Sequence, residues 1–172
     1  MRKFTSTRSA IALAVAAGSI LALGVGGPAQ AATKPSIVVK PMADSHTIPA
    51  VVVTTDAQGN KVSTLTDPFA VGDCILDRGT TVTVRPPSGN YASVSIHGQV
   101  QTKHHQVAWY DQWHASFTYW SRRGTKLAQT PTMNGPEMRT DSKWYPIDGE
   151  VAVYMPADFF DLATNVDWYG EC

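Results

Sequence analysis

The stretch that most constrains the fold is residues 107–120, VAWYDQWHASFTYW, which holds three of the five tryptophans. In a strand, alternate residues share a face. One face would then carry Val107, Trp109, Trp113, Ala115, Phe117 and Tyr119, interrupted only by Asp111, and the other Gln112, His114, Ser116 and Thr118. A helical period also aligns some of the aromatic residues. However, aromatic residues suit a pleated surface, and Arg122, Arg123 and Gly124 follow as a turn would, so we predict a buried β-strand.

The N-terminus has the pattern of an export signal. A basic segment with Arg2, Lys3 and Arg8 precedes an apolar region at 10–25 and a small-residue cleavage site at 29–31. The apolar run is short for a membrane span and is broken by glycines. We therefore predict that residues 1–31 are a signal peptide, that the mature protein is secreted, and that it has no membrane segment after cleavage.

Charge argues against a nucleic-acid partner. Cleavage would remove three of the fourteen basic residues and none of the fourteen acidic ones, leaving a formal charge of −3. After Lys143 there is no further Lys or Arg, but there are six acids: Asp148, Glu150, Asp158, Asp161, Asp167 and Glu171. Such an end is unsuited to a phosphate backbone, although a solvated acidic face would have the same composition.

The two cysteines, Cys74 and Cys172, are predicted to form a disulfide in an oxidising compartment. Such a bond would close a loop of about 100 residues, for which the chain-entropy model gives roughly 4.7 kcal/mol. It would also remove both thiols as nucleophiles or metal ligands. We expect one disulfide-closed domain over residues 67–172.

Residues 32–66 differ from the rest because they contain no Trp, Tyr or Phe. Their apolar residues come in two short groups, Ile37, Val38 and Val39, then Val51, Val52 and Val53. Prolines at 35, 41 and 49 favour extended backbone. The second group continues through a turn at 56–60 into residues 61–65, as in a hairpin. We predict an extended N-terminal arm that docks on a partner protein or folds back as edge strands of its own sheet.

The remaining chain shows strand signals at short intervals. A second hairpin is predicted from Thr80 to Ile96 with a turn at 86–90, and further strands at 125–130, 143–147 and 150–155. Residues 131–136 are predicted to be a loop and 156–162 a helical turn. The fold class predicted is all-β, a small antiparallel sandwich or barrel with an extended arm.

Histidines are the first candidates for a site, since His97, His104, His105 and His114 fall within eighteen residues. Zinc needs three or four convergent ligands. The spacing matches no metal motif, and adjacent residues of a strand point to opposite faces. We therefore predict no metal and no cofactor.

A small secreted hydrolase of the nuclease type is the alternative enzymatic hypothesis. Glu150 would serve as the base, His114 as the acid, and Arg122 or Arg123 would bind phosphate. Nothing in the sequence places these residues within reach of one another, and we assign no catalytic residue.

The aromatic residues allow a third hypothesis, a carbohydrate-binding module. Trp109, Trp113 and Trp120, with His114, would form a candidate ligand surface for sugar rings. In a domain of this size most tryptophans are needed for the core, which is the competing interpretation.

In layout, the mature chain resembles the small secreted adaptor subunit of streptomycete umbrella toxin particles. The likeness rests on arm segments 36–39 and 48–55 followed by a domain closed by Cys74 and Cys172, and no specific motif carries it. The resemblance implies a non-catalytic subunit that links a lectin-bearing subunit to the stalk of an antibacterial particle. We therefore expect a protein-binding adaptor whose arm and β-domain hold other secreted proteins.

Overall fold

The computed structural model describes residues 45–103, 110–139 and 142–172. Within these ranges the chain forms twelve β-strands and one short helix, and every strand pairing is antiparallel. The strands make two sheets that enclose one hydrophobic core. The predicted all-β antiparallel fold is confirmed, and of its two predicted forms, a sandwich or a barrel, the two sheets correspond to the sandwich.

The first sheet is built around the aromatic run. Its strands are β1 (Ser45–Val52), β8 (Asp111–Ser121), β9 (Lys126–Gln129), β10 (Met133–Met138) and β12 (Ala163–Glu171). Their order is β1-β12-β8-β10, and β9 also pairs with β8. Both β12 and β8 are therefore interior strands.

The second sheet contains the remaining strands. These are β2 (Thr54–Thr55), β3 (Lys61–Thr64), β4 (Phe69–Val71), β5 (Cys74–Leu76), β6 (Thr81–Val84), β7 (Tyr91–Thr102) and β11 (Tyr145–Tyr154). Their order is β2-β3-β6-β7-β5-β4, and β11 pairs with β7 along ten residues. The helix α1 (Ala157–Leu162) connects β11 to β12.

Strand β8 buries the residues predicted to face the core from Trp113 on, namely Trp113, Ala115, Phe117 and Tyr119. On the face predicted to be outward, His114 and Thr118 are half-buried, but Ser116 is buried as well. Phe117 packs edge to face on Trp168 with ring centroids 5.2 Å apart. The inward face of this strand therefore supplies much of the core volume.

The part of the predicted arm that the structure describes, residues 45–66, lies in strands of both sheets. β1 pairs with β12, and β3 pairs with β2 and β6. The predicted turn at 56–60 connects β2 to β3, but Val51 and Val52 belong to β1 rather than to this hairpin. Residues 45–66 therefore fold back onto the domain, which is the second of the two arrangements predicted for the arm. The first apolar group, Ile37 to Val39, and the signal segment 1–31 lie outside the described residues.

Further along, the hairpin of β6 and β7, the strand β9 and the helical turn α1 agree with the predictions. The loop predicted at 131–136 is wrong, because Met133–Met138 is a strand. Its Pro136 is tolerated because β10 ends the sheet order and its register shifts between Asn134 and Glu137. The strands predicted at 143–147 and 150–155 are largely the single strand β11.

Candidate functional site

The outer face of the second sheet carries a set of polar and aromatic side chains. On β7, the buried residues Ala92, Val94 and Ile96 alternate with residues that point away from the core. The same alternation on β11 buries Ile147 and Val153. We call the outer set the tyrosine face and define it as Arg85, Tyr91, Ser93, Ser95, His97, Asp148, Glu150 and Tyr154.

Two tyrosines mark one end of the tyrosine face. Tyr91 and Tyr154 are directly opposite each other in the β7–β11 register. Their rings meet edge to face, with centroids 5.7 Å apart and planes at 84°. Although they pack on each other, they remain 60% and 55% exposed. The pair therefore presents a fixed aromatic surface to solvent.

Paired polar groups continue from the tyrosines along the strands. The Ser93 hydroxyl donates a hydrogen bond to the Glu150 carboxylate, and Arg85 Nη1 lies 3.5 Å from Glu150 Oε1. Further on, His97 Nδ1 lies 2.5 Å from Asp148 Oδ1. Between these pairs is an open depression of about 410 Å³ lined by Ser95, His97, Asp148 and Glu150 with the adjoining backbone. The arrangement offers several fixed hydrogen-bonding groups to one ligand.

The polar pairs are open to water. The side chains of His97 and Asp148 are 79% and 65% exposed. Ion pairs this exposed contribute little to stability, since solvent screens them and the side chains lose entropy. Catalytic sites usually exclude water from the reacting groups. The tyrosine face is therefore better suited to binding than to proton transfer.

A second feature is an apolar groove at the place where β1 of the first sheet lies beside the second sheet. It has a volume of about 350 Å³ and lies between β1 and the connection from β3 to β4. Its apolar lining is Ile48, Val51, Val52, Leu65 and Pro68. We call it the β1 groove. Val52 is 65% exposed, whereas Val51 and Val53 are half-buried and pack against the core.

A bulge holds the backbone of β1 in place beside this groove. The register with β12 shifts between Ile48 and Val51, and Ala50 has a φ of 55°. This left-handed conformation costs a residue with a Cβ about 1–2 kcal/mol. Asp167 compensates for it, because Oδ1 accepts the Ala50 N–H at 2.8 Å and Oδ2 accepts the Trp120 Nε1–H at 2.8 Å.

The candidate ligand surface on the tryptophans requires correction. Trp113 is completely buried and packs edge to face on Phe69, with centroids 5.3 Å apart, so it cannot contact a ligand. Trp120 is half-buried and bonded to Asp167. His114 Nδ1 lies 2.8 Å from Asn134 Oδ1. Trp109 lies outside the described residues.

The residues proposed for the nuclease hypothesis are not brought together. Glu150 lies on the outer face of the second sheet, and His114 lies on β8 of the first sheet. Arg122 and Arg123 are in the turn that follows β8. The partners that Glu150 does have, Arg85 and Ser93, were not identified from the sequence. The alternation of residues in the β6–β7 hairpin predicts that Arg85 and Ser93 face outward. Only the pairing of β7 with β11 shows that they lie next to Glu150.

The histidines do not converge either, as far as the structure describes them. His97 and His114 lie on different sheets, and His104 and His105 are outside the described residues. A different group has ligand atoms within 4.8 Å of one another: Cys74, Asp111 and Cys172. Both sulfurs are joined in a disulfide, whereas metal binding requires the thiolate. This group therefore does not form a metal site while the bond is intact.

The predicted disulfide between Cys74 and Cys172 is confirmed, with Cα atoms 6.0 Å apart. It connects β5 of the second sheet to the residue that follows β12 of the first. Such a bond is consistent with an extracellular or otherwise oxidising location. Within the described ranges, no helix has the length and hydropathy needed to cross a membrane.

Comparisons of this chain with protein-family models, curated proteins and solved structures found no match. The assignment of a function therefore rests on the geometry of the tyrosine face and the β1 groove.

Proposed function

We propose that the protein is a secreted, non-catalytic adaptor that binds a partner protein through its N-terminal arm and the adjoining β1 groove. The main support is the position of β1. Among the described strands it pairs only with β12 and is at the end of the sheet order, so its outer edge is open to another strand. Strand addition at such an edge is a common mode of peptide recognition.

The β1 groove supports the same proposal. In strand addition, backbone hydrogen bonds supply affinity and pockets for alternate side chains supply specificity. The β1 groove lies next to the open edge and has an apolar lining that includes the exposed Val52. A partner segment with alternating apolar residues would fit both features. The bulge at Ala50 interrupts the edge and limits unselective pairing.

Secretion is part of the proposal and is supported by the signal-like residues 1–31 and by the disulfide. We extend the proposal to a subunit of an antibacterial toxin particle on the likeness in layout to the umbrella toxin adaptor. The proposed function includes no catalytic activity, because the polar groups of the tyrosine face are exposed to water.

The test is a binding measurement with the mature protein and matched variants. Removing residues 32–66 would also remove β1, β2 and β3, so the informative deletion is 32–44. Val52→Asp places a charge beside the β1 groove, and Leu162→Asp places one at a similarly exposed apolar site on α1. Partners captured from the culture fluid of the producing organism would be identified by mass spectrometry, purified and titrated.

We expect the deletion and Val52→Asp each to weaken binding by about tenfold or more, equivalent to about 1.4 kcal/mol. Leu162→Asp should bind as the parent does. If the deletion variant and Val52→Asp both keep the parent affinity, the adaptor proposal is wrong. Membership of a toxin particle requires, in addition, that the protein co-purify with a large secreted assembly.

A further inference from the structure

We infer that the tyrosine face binds a glycan built of uncharged sugars, which stack on Tyr91 and Tyr154 and hydrogen-bond to the groups around the depression between Glu150 and His97. This site is separate from the proposed adaptor function. It lies on the outer face of the second sheet, whereas β1 belongs to the first.

The exposed tyrosine pair is the first observation that supports a glycan site. Tyrosine is intermediate in burial among the residue types, because its ring is apolar and its hydroxyl is polar. Tyr91 and Tyr154 keep more than half of their surface in water, while their contact holds the two rings in one arrangement. A rigid exposed aromatic surface with hydroxyl groups at its edge fits the mixed apolar and polar surface of a sugar ring.

The polar groups around the depression are the second observation that supports a glycan site. Sugar hydroxyls both donate and accept hydrogen bonds, and hydrogen bonds to charged groups are the stronger ones. The depression offers carboxylates from Asp148 and Glu150, the His97 ring and the Ser95 hydroxyl. Tyr91 and His97 are six residue steps apart along strand β7, or about 20 Å. The tyrosine face is thus long enough for several linked sugar rings.

Charge decides the class of ligand. The tyrosine face has two carboxylates, Asp148 and Glu150, against one guanidinium, that of Arg85. Apart from His97, the face thus has one more carboxylate than guanidinium, a balance that disfavours phosphate or sulfate groups. A nuclease-like role for Glu150, His97 and Arg85 would require a polyanionic substrate in this field. The balance favours uncharged sugars.

The experiment uses the mature protein in pull-down assays with insoluble cellulose, chitin and xylan, and in affinity electrophoresis with soluble glucomannan. The variants are Tyr91→Ala with Tyr154→Ala, Tyr91→Phe with Tyr154→Phe, and Leu162→Ala. Leu162 has the same exposure as Tyr154, 55%, but lies on α1. Thermal unfolding of each variant confirms that it is folded.

We expect the parent to bind at least one of these polysaccharides. The double alanine variant should lose about tenfold or more in affinity, the double phenylalanine variant should stay within about threefold of the parent, and Leu162→Ala should be unchanged. The inference is overturned if the parent binds none of the four probes or if the double alanine variant binds as the parent does. It is also overturned if the parent binds or cleaves a labelled RNA oligonucleotide and Glu150→Gln abolishes this, since the substrate would then be a polyanion.

Discussion

The two sheets differ in where they place their aromatic residues. The first sheet directs its large rings into the core, with Trp113, Phe117, Tyr119 and Trp168 all buried. The second faces them mainly with aliphatic residues, such as Val82, Val94 and Ile96, and places Tyr91 and Tyr154 outside. Apart from the contact between Trp113 and Phe69 of β4, large residues on the first sheet thus meet smaller ones on the second.

This difference separates residues that serve the fold from residues available for binding. The rings of the first sheet are required to fill the sandwich. The outer tyrosines of the second sheet fill no part of the core, and an exposed aromatic pair beside fixed polar groups is typical of a recognition surface. The contrast predicts that substitutions of the core rings will lower the free energy of unfolding. Substitutions of the outer tyrosines are expected to leave it nearly unchanged and to affect binding.

A loss of stability as large as that from emptying part of the core is expected when the covalent connection between the sheets is removed. Cys74 and Cys172 are 98 residues apart in sequence, and the chain-entropy model assigns about 4.7 kcal/mol to a loop near that length. We expect the Cys74→Ser, Cys172→Ser double variant to lose about 2–5 kcal/mol in urea unfolding. The parent measured in reductant should give a similar loss. A loss below about 1 kcal/mol would mean that core packing alone holds the sheets together.

A direct comparison of aromatic residues in the two sheets comes next. Trp113→Ala should lower the free energy of unfolding by about 3–5 kcal/mol, because it leaves a cavity in the core. Tyr154→Ala should change it by less than about 1 kcal/mol, because the ring is exposed. Trp113 Nε1 has no hydrogen-bond partner among the described residues, so its contribution comes from packing. Equal losses in the two variants would contradict the division between the buried rings of the first sheet and the exposed tyrosines of the second.

The sequence was sufficient to predict the inward position of Trp113, Phe117 and Tyr119 on β8, and the β6–β7 hairpin. Both depend on local alternation, which is present in the residues themselves. The same alternation already placed Trp113 inward, in conflict with its candidacy as a ligand contact. Residue type alone makes a tryptophan a candidate for sugar binding, but the side of the strand on which it lies decides whether a ligand can reach it.

The tyrosine face could not be predicted because its parts are far apart in sequence. Tyr91 and Tyr154 meet only through the pairing of β7 with β11, and the same pairing places Asp148 opposite His97. A single sequence shows strand periodicity but not which strands become neighbours. The strand β10 was missed for a local reason, since Gly135 and Pro136 favour a loop unless the strand is at an edge with a bulge.

Replacing a glycine by alanine in each sheet tests whether the core is packed more tightly around the aromatic residues than around the aliphatic ones. A Cβ at Gly170 on β12 would lie 2.6 Å from Trp113 Cζ2 and 2.9 Å from Phe69 Cε1. Trp113 is enclosed and cannot move away, so Gly170→Ala should cost about 1–3 kcal/mol in urea unfolding.

The matched variant is Gly149→Ala on β11 of the second sheet. Its Cβ would lie 3.3 Å from Ile96 Cγ2 and 3.6 Å from the sulfur of Met133, a flexible side chain. We expect a change of no more than about 0.5 kcal/mol, because alanine also restricts the unfolded chain. If Gly149→Ala costs as much as Gly170→Ala, the aliphatic interface is as tightly packed as the aromatic one.

The smallest effect is expected at the edge of the second sheet, in the turn between β2 and β3. Asp56 Oδ1 accepts the N–H groups of Gln58 and Asn60 at 2.9 and 2.8 Å, and Oδ2 accepts a hydrogen bond from Asn60 Nδ2 at 2.9 Å. The side-chain hydrogen bond from Asn60 is the main cause that lowers the pKa of Asp56 below its ordinary value of 3.8. The charged carboxylate therefore stabilises the folded state.

A carboxyl group whose pKa is lowered by folding contributes stability above its unfolded pKa and loses that contribution as the pH falls through its folded pKa. Asp56→Asn keeps the size of the side chain and one oxygen acceptor but has no charge. The parent should therefore exceed Asp56→Asn in unfolding midpoint by a constant amount from about pH 7 to about pH 5, and the difference should shrink below about pH 4. A difference that grows on acidification would have the wrong sign for a depressed pKa, and the turn would then depend on some group other than this carboxylate.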